Sequence, residues 1–318
     1  MCAATGIDTN TTFKFSGHET FPCRYAWLPK AYNALNGDPC ALADDERAMI
    51  TLGVGKNMVR AIRFWVQATS VAEPLKGGGY SITDFGREVF SGSGGDPFLE
   101  DIRTLWLIHW KLSTHVREPL FAWDFLLNRW HHPEISRTVA LQSFRQEAQR
   151  LGRTLSDVTL EQHFDTFLHS YVPTRSPKGD IQEDNLDCPL VELELIYKVG
   201  ERRADKSGRR EPVYAFRRDE KPEITPELFM YCVSDYWRKR HPNEKTLTFR
   251  NVAVDHGSPG QIFKLSEADI RQRFENIASD SAGVFCYKES ASLQQLTCSD
   301  LAAPGALADV YSNEASHE

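Results

Sequence analysis

The chain has 318 residues, of which 41% are hydrophobic and 25% charged, a composition that fits two or three globular domains. Its net charge of −7 excludes an overall basic surface, so any contact with nucleic acid has to use a local basic face. No apolar run approaches the roughly 20 residues of a membrane helix, and the N-terminus lacks a secretory signal pattern. The seven cysteines contain no CxxC pair, which argues against a structural zinc site. We therefore expect a cytoplasmic protein without a membrane partner.

The first predicted module, residues 13–95, has the element order of a winged helix-turn-helix. Helices are predicted over 23–36, with a break or bend at Pro29, over 44–52 and over 56–70. A glycine turn at 77–79 then separates two short extended pieces, and Thr83 caps a last short helix. This order predicts a winged-helix-like, DNA-binding N-terminal module.

The rest of the chain is predicted to be helical as well. Residues 96–171 form an aromatic-rich helical core, in which tryptophans supply a large apolar area. Residues 185–298 form a second helix-rich C-terminal module, for which a winged helix is an alternative, and residues 299–318 form a flexible tail. The predicted fold class is therefore mainly α.

One face of the predicted helix 56–70 carries four polar side chains at helical spacing, Lys56, Arg60, Arg63 and Gln67. Arginine and glutamine are the side chains that read guanine and adenine edges, and lysine binds phosphates. On the third helix of a winged-helix pattern, this face predicts contact with double-stranded DNA. A solvated helix face is the alternative.

A second basic cluster lies in the stretch 202–221, with Lys206 near the tip of a predicted hairpin. Its candidate DNA-binding residues are Arg202, Arg203, Lys206, Arg209 and Arg210. A basic hairpin can hold backbone phosphates. Five acidic residues are interleaved with these cations, so a solvated loop is the alternative.

The pair His18-Glu19 has two interpretations. As a catalytic pair, His18 acts as acid or base and Glu19 as its partner. As a structural clip, Glu19 forms a buried ion pair with Arg24 and fixes the entry into the first helix. The residues favour the clip over the catalytic pair.

A set of three polar residues, Glu161, Asp165 and His169, lies one turn apart on a predicted helix face. Carboxylate and imidazole ligands of this kind bind Mg²⁺ or Mn²⁺ in nucleases. A solvated polar face is the alternative. The chain contains no HExxH, GxSxG or phosphate-cradling Gly-Lys-Ser/Thr loop.

Five separated segments resemble the SspB family of the single-stranded DNA phosphorothioation (Ssp) bacterial defence system, which is unrelated to the protease adaptor of the same name. They are FSGHETFPCRYAWLPKAY, LGVGKNMVRAIRFWVQA, DPFLEDIRTLWLIHWKL, NLDCPLVELELI and SPGQIFKLSEADIRQRFE. The resemblance implies a DNA nickase that works with a cysteine desulfurase, an ATP-dependent sulfur-transfer enzyme and an ATPase. No family catalytic motif is carried over to particular residues. A non-catalytic DNA-binding scaffold and a winged-helix transcription regulator are the alternative functions.

Overall fold

The computed structural model describes residues 11–173, 188–204, 208–290, 294–300 and 306–312. Lys206 and residues 185–187 of the predicted C-terminal module lie outside them. The helices are α1 (Trp27–Gly37), α2 (Asp45–Leu52), α3 (Lys56–Ala68), α4 (Asp84–Phe90), α5 (Ile102–Ser113), α6 (Phe121–Asp124), α7 (Arg137–Arg150), α8 (Asp157–Tyr171), α9 (Pro226–Arg240), α10 (Phe249–Ala253), α11 (Pro259–Ile262), α12 (Glu267–Asp280) and α13 (Leu307–Val310). A π-helical turn, Phe125–Arg129, continues α6, and a 3₁₀ helix spans Pro189–Leu193.

Three small antiparallel sheets accompany these helices in the described part of the chain. The strands are β1 (Ala72–Pro74), β2 (Tyr80–Ile82), β3 (Ile135–Ser136), β4 (Ile196–Arg203), β5 (Arg210–Phe216), β6 (Thr246–Thr248), β7 (Phe285–Glu289) and β8 (Gln294–Cys298). Their orders are β1-β2, β3-β5-β4 and β6-β8-β7. The fold is therefore mixed α/β, and the expectation of a mainly α chain is corrected. Strands as short as β3 and β6 are stabilised by partners distant in sequence, so local periodicity does not reveal them.

Capping residues fix the ends of the N-terminal helices. The Asp44 side chain accepts a hydrogen bond from the Arg47 N–H (2.9 Å), and Gly53 ends α2 at a φ of 67°. The first helix begins only at Trp27, which places Pro29 in its first turn. A first-turn proline removes no helical hydrogen bond, so the break expected at Pro29 does not occur.

One continuous hydrophobic core joins the three predicted modules. The rings of Trp65 on α3 and Trp123 on α6 lie 6.0 Å apart at the first junction. At the second junction, the Trp110 indole N–H on α5 donates to Asp235 on α9 (2.7 Å). All three tryptophans are fully buried. Within the described part of the chain, no helix is long and apolar enough to cross a membrane.

The described end of the chain is packed against this core. Leu307 and Val310 of α13 are buried, and the carbonyl of Val310 accepts a hydrogen bond from Arg103 (3.0 Å). The Tyr311 hydroxyl lies 2.8 Å from that of Thr104. The predicted flexible tail, 299–318, is therefore wrong for residues 306–312, because two apolar side chains dock there.

Candidate nucleic-acid interface

The predicted basic face of α3 is exposed only toward the start of the helix. The side chains of Lys56 and Arg60 are 55% and 46% exposed, and their cationic groups lie 3.3 and 3.9 Å from Asp45 on α2. Hydrogen bonds from Arg63 and Lys56 hold the pKa of the Asp45 carboxyl below its usual range. This surface therefore consists of two accessible cations beside one carboxylate, which also pairs with Arg63.

Arg63 and Gln67 have structural contacts instead. The Arg63 side chain is 17% exposed, its Nη1 lies 2.5 Å from Asp45, and its Nε donates to the Leu42 carbonyl (2.5 Å). Gln67 is half-buried and bonds the Tyr80 hydroxyl on β2 (3.4 Å). Of the four residues predicted to contact DNA, Lys56 and Arg60 are exposed, whereas Arg63 ties α3 to α2 and Gln67 is half-buried.

The predicted basic hairpin is formed by β4 and β5 and carries four exposed arginines, Arg202, Arg203, Arg209 and Arg210. The fifth candidate, Lys206, lies outside the described residues. Arg202 lies opposite Glu211 and pairs with it (3.2 Å). Arg203 lies directly opposite Arg210, and neither has an ion pair with a described residue. Facing like charges destabilise a sheet. This hairpin end is therefore suited to an anionic partner.

His18 is buried within the core. It is 3% exposed, and its Nε2 lies 3.3 Å from Nδ1 of His163 on α8. The outer nitrogens of the two rings face backbone N–H donors, that of Thr20 at 3.1 Å and that of Ala122 at 2.9 Å. Burial lowers the pKa of His18 to about 4 and that of His163 well below its usual range, so both rings are neutral at pH 7. A ring buried in this way cannot touch a DNA phosphate in this structure.

The other half of this pair, Glu19, does not form the predicted clip. Glu19 is only half-buried, with a φ of 51°, and no ion pair joins it to Arg24. The Arg24 guanidinium instead lies over the rings of Phe21 (6.0 Å) and Trp27 (5.6 Å). The segment does anchor the chain, but the buried residue that anchors it is His18.

The three predicted metal ligands lie along α8 as expected, but two of them are already bound. The Arg137 guanidinium bridges Glu161 (3.1 Å) and Asp165. His169 lies beside a groove of about 900 Å³ between α8, β4 and β5. No group of three or more His, Cys, Asp or Glu side chains in the described segments is arranged to hold a metal ion. The residues therefore do not fit a metal centre at this position.

The structure also forms a cluster that the sequence did not indicate. His256, in the loop before α11, bonds through Nε2 to Asp124 at the end of α6 (2.7 Å). Arg129 of the π-helical turn bonds the other Asp124 oxygen (2.5 Å). His256 and Asp124 are 132 positions apart in the sequence, so no local motif could reveal their contact.

Residues 15–311 match the model of the DUF4007 family, described as a protein of unknown function. Two solved structures share the fold, each over 95% of this chain and 87% of the other, with a TM-score of 0.79. One is SspB at 26% sequence identity, and the other is magnesium ion-bound SspB at 25%. No curated protein matches the chain. The likeness in fold supports the resemblance to SspB that five sequence segments suggest.

Proposed function

We propose, because this chain belongs to the DUF4007 family and has the fold of SspB, that it is a DNA-binding, strand-nicking component of an Ssp phosphorothioation system. The observation that carries the proposal is the match to SspB over nearly the whole chain. That match supports a role in the Ssp system. DNA binding and nicking go beyond the match and are part of our proposal. Replacing a phosphate oxygen by sulfur requires access to one strand, and a nick provides it.

Two parts of the fold support the DNA-binding role. The C-terminal elements run α9-β6-α10-α11-α12-β7-β8 with sheet order β6-β8-β7, and the N-terminal elements run α1-α2-α3-β1-β2-α4. We propose that both units are winged helices that bind DNA, since both element orders resemble that of a winged helix. In the first module, Lys56 and Arg60 would contact backbone phosphates.

The β4–β5 hairpin would act as a second clamp on DNA. Its facing pair, Arg203 and Arg210, gains from an anion because the two like charges lie opposite each other and neither forms an ion pair with a described residue. Contacts of this kind bind the backbone of any duplex and carry no base preference. The proposal also includes the partners that the family resemblance implies: a cysteine desulfurase, a sulfur-transfer enzyme and an ATPase.

We propose Mg²⁺ or Mn²⁺ as the cofactor, since one of the two similar SspB structures is magnesium ion-bound. Glu161, Asp165 and His169 do not fit this ion, because Arg137 holds both carboxylates.

A second candidate function gains support from the contact of Arg137 with these two carboxylates. A non-catalytic scaffold that binds DNA and recruits the sulfur-transfer enzymes needs no metal centre.

Incubation of purified protein with supercoiled plasmid, in Mg²⁺, Mn²⁺ or EDTA, tests the proposal. We expect conversion to the open circular form with a divalent cation and none with EDTA. Plasmid binding without conversion would favour the scaffold. Binding restricted to one short sequence would favour a transcription regulator, and the absence of any DNA binding would overturn the proposal.

A further inference from the structure

The loop at residues 255–258 is fixed on both sides of His256, by the π-helical turn on one side and by α10 on the other. The N–H of Gly257 donates to the Asn128 side chain (2.7 Å), and the Asp255 carboxylate accepts from Asn251 (2.6 Å). His256 itself bonds Asp124. These contacts hold the imidazole in one orientation. π-helical turns are frequent at functional sites, because they redirect side chains out of the regular helical path.

The carboxylate behind His256 is buried and ionised. The Asp124 side chain is 6% exposed. Burial acts to raise its pKa, but the hydrogen bond from His256 and the charge of Arg129 outweigh burial and hold the pKa below its usual range. An ionised Asp124 accepts a hydrogen bond from the N–H at Nε2 of His256, which leaves Nδ1 as the nitrogen with a free lone pair.

The imidazole is accessible, unlike that of His18. The His256 side chain is 27% exposed, and no hydrogen bond joins its Nδ1 to another described residue. A buried carboxylate that orients a partly exposed imidazole is the arrangement by which a histidine removes a proton from a nucleophile.

A permanent cation lies beside the loop that carries His256. Arg240, at the exposed end of α9, lies against Gly257: its Nε and Nη2 are 3.6 and 3.7 Å from the position a Cβ atom would take there. The φ of Gly257 is +76°. Guanidinium groups bind phosphate oxygens with strong, directional hydrogen bonds. A backbone phosphate held by Arg240 would therefore lie next to the loop that carries His256.

We propose that His256 is the general base of strand nicking, that Asp124 is its positioning residue, and that Arg240 binds the scissile phosphate of a DNA backbone. The inference rests on the proposed nicking function. His256 Nδ1 takes a proton from water, and the water oxygen forms a bond to phosphorus as the phosphorus–oxygen ester bond breaks. The departing sugar oxygen takes a proton from solvent, and the imidazolium later returns its proton to solvent. The products are a phosphate monoester and a free hydroxyl.

The variant His256→Gln separates catalysis from a purely structural contact. Glutamine can still donate to Asp124, but it has no basic nitrogen to accept a proton. We expect His256→Gln to melt and bind plasmid like wild type, yet to nick at least about 100-fold more slowly, since general bases contribute about 10²–10⁴-fold. His131→Gln, at an exposed histidine outside the site, is the matched control and keeps full activity.

Asp124→Asn and Arg240→Ala provide independent readouts. Asp124→Asn should lower kcat while leaving KM for plasmid nearly unchanged, because it removes the charge that orients the base and does not touch the phosphate contact. Arg240→Ala, at an exposed position, should raise KM for plasmid more than it lowers kcat.

The outcomes distinguish this inference from the proposed function. If wild type does not nick, both are overturned. If wild type nicks and a folded His256→Gln nicks equally well, the nicking function stands and the general base is wrong. If His256→Gln does not fold, Asp124→Asn decides: an unchanged kcat in a folded Asp124→Asn protein overturns the assignment.

Discussion

The imidazole of His18 lies between His163 and the edge of the Phe64 ring, where water does not reach it. Its neighbour Gly17 has a φ of +111°, and a Cβ there would be 2.9 Å from the Phe64 ring. The chain therefore passes Phe64 by a turn that glycine permits, and the turn delivers His18 to its buried partner. Accessibility, rather than residue type, separates this histidine from His256.

Replacing His18 with alanine should reduce stability rather than remove only catalysis. The change leaves the Nδ1 atom of the buried His163 ring without its partner, which costs about 1–3 kcal/mol. We expect the melting temperature at pH 7.5 to fall by several degrees. His131→Ala, at an exposed position, serves as the control. A His18→Ala protein that melts like wild type would show that His18 does not anchor this segment.

The same variant should also change the response of stability to acid. The pKa of His18 is about 4 in the folded state and near 6.5 unfolded, so between those values the unfolded chain binds more protons. The contribution of His18 to the free energy of unfolding is therefore fully present above about pH 6.5 and is lost as the pH falls toward 4. Melting curves across this range should be less pH-dependent for His18→Ala than for wild type.

At the scale of the element, α3 separates into an exposed cationic end and a buried structural side. Lys56 and Arg60 should contribute to DNA affinity, while Arg63 should contribute to folding. We expect Lys56→Ala with Arg60→Ala to weaken plasmid binding and reduce the salt slope by about one unit per lost phosphate contact.

Arg63→Ala is the contrasting variant on the same helix. It removes the hydrogen bond to the Leu42 carbonyl and the contact with Asp45, so it should lower the melting temperature. Salt-dependent binding titrations and thermal melts of the variants check both expectations. A folded Arg63→Ala protein with a reduced salt slope and an unchanged melting temperature would reverse the assignment.

Element types and caps could be predicted from sequence where the cause is local. Thr83, Thr225 and Ser266 each accept a hydrogen bond from the first turn of the helix they precede, and the basic hairpin forms as expected. Contacts between distant segments could not be predicted. His18 meets His163 across 145 positions, and residue type alone does not determine which side of a helix becomes buried.

At the scale of the whole molecule, the packed C-terminal helix α13 belongs to the same core as the N-terminal module. Arg103 and Thr104 of α5 bond the carbonyl of Val310 and the hydroxyl of Tyr311, and the Tyr311 ring lies against Gly95. The tryptophan junctions between the modules are also buried. A substitution that destabilises one end of the chain should therefore lower the melting temperature of the whole molecule.

Leu307→Ala tests this coupling. Burial of Leu307 in the shared core predicts a loss of about 2–5 kcal/mol on truncation to alanine. We expect calorimetry and tryptophan fluorescence to show one transition in wild type and one transition, at lower temperature, in the variant. Asp309→Ala, at an exposed position of the same helix, should melt like wild type. Two separate melting transitions in wild type would mean that the modules unfold independently despite their common core. The same conclusion would follow if Leu307→Ala changed only the transition at lower temperature.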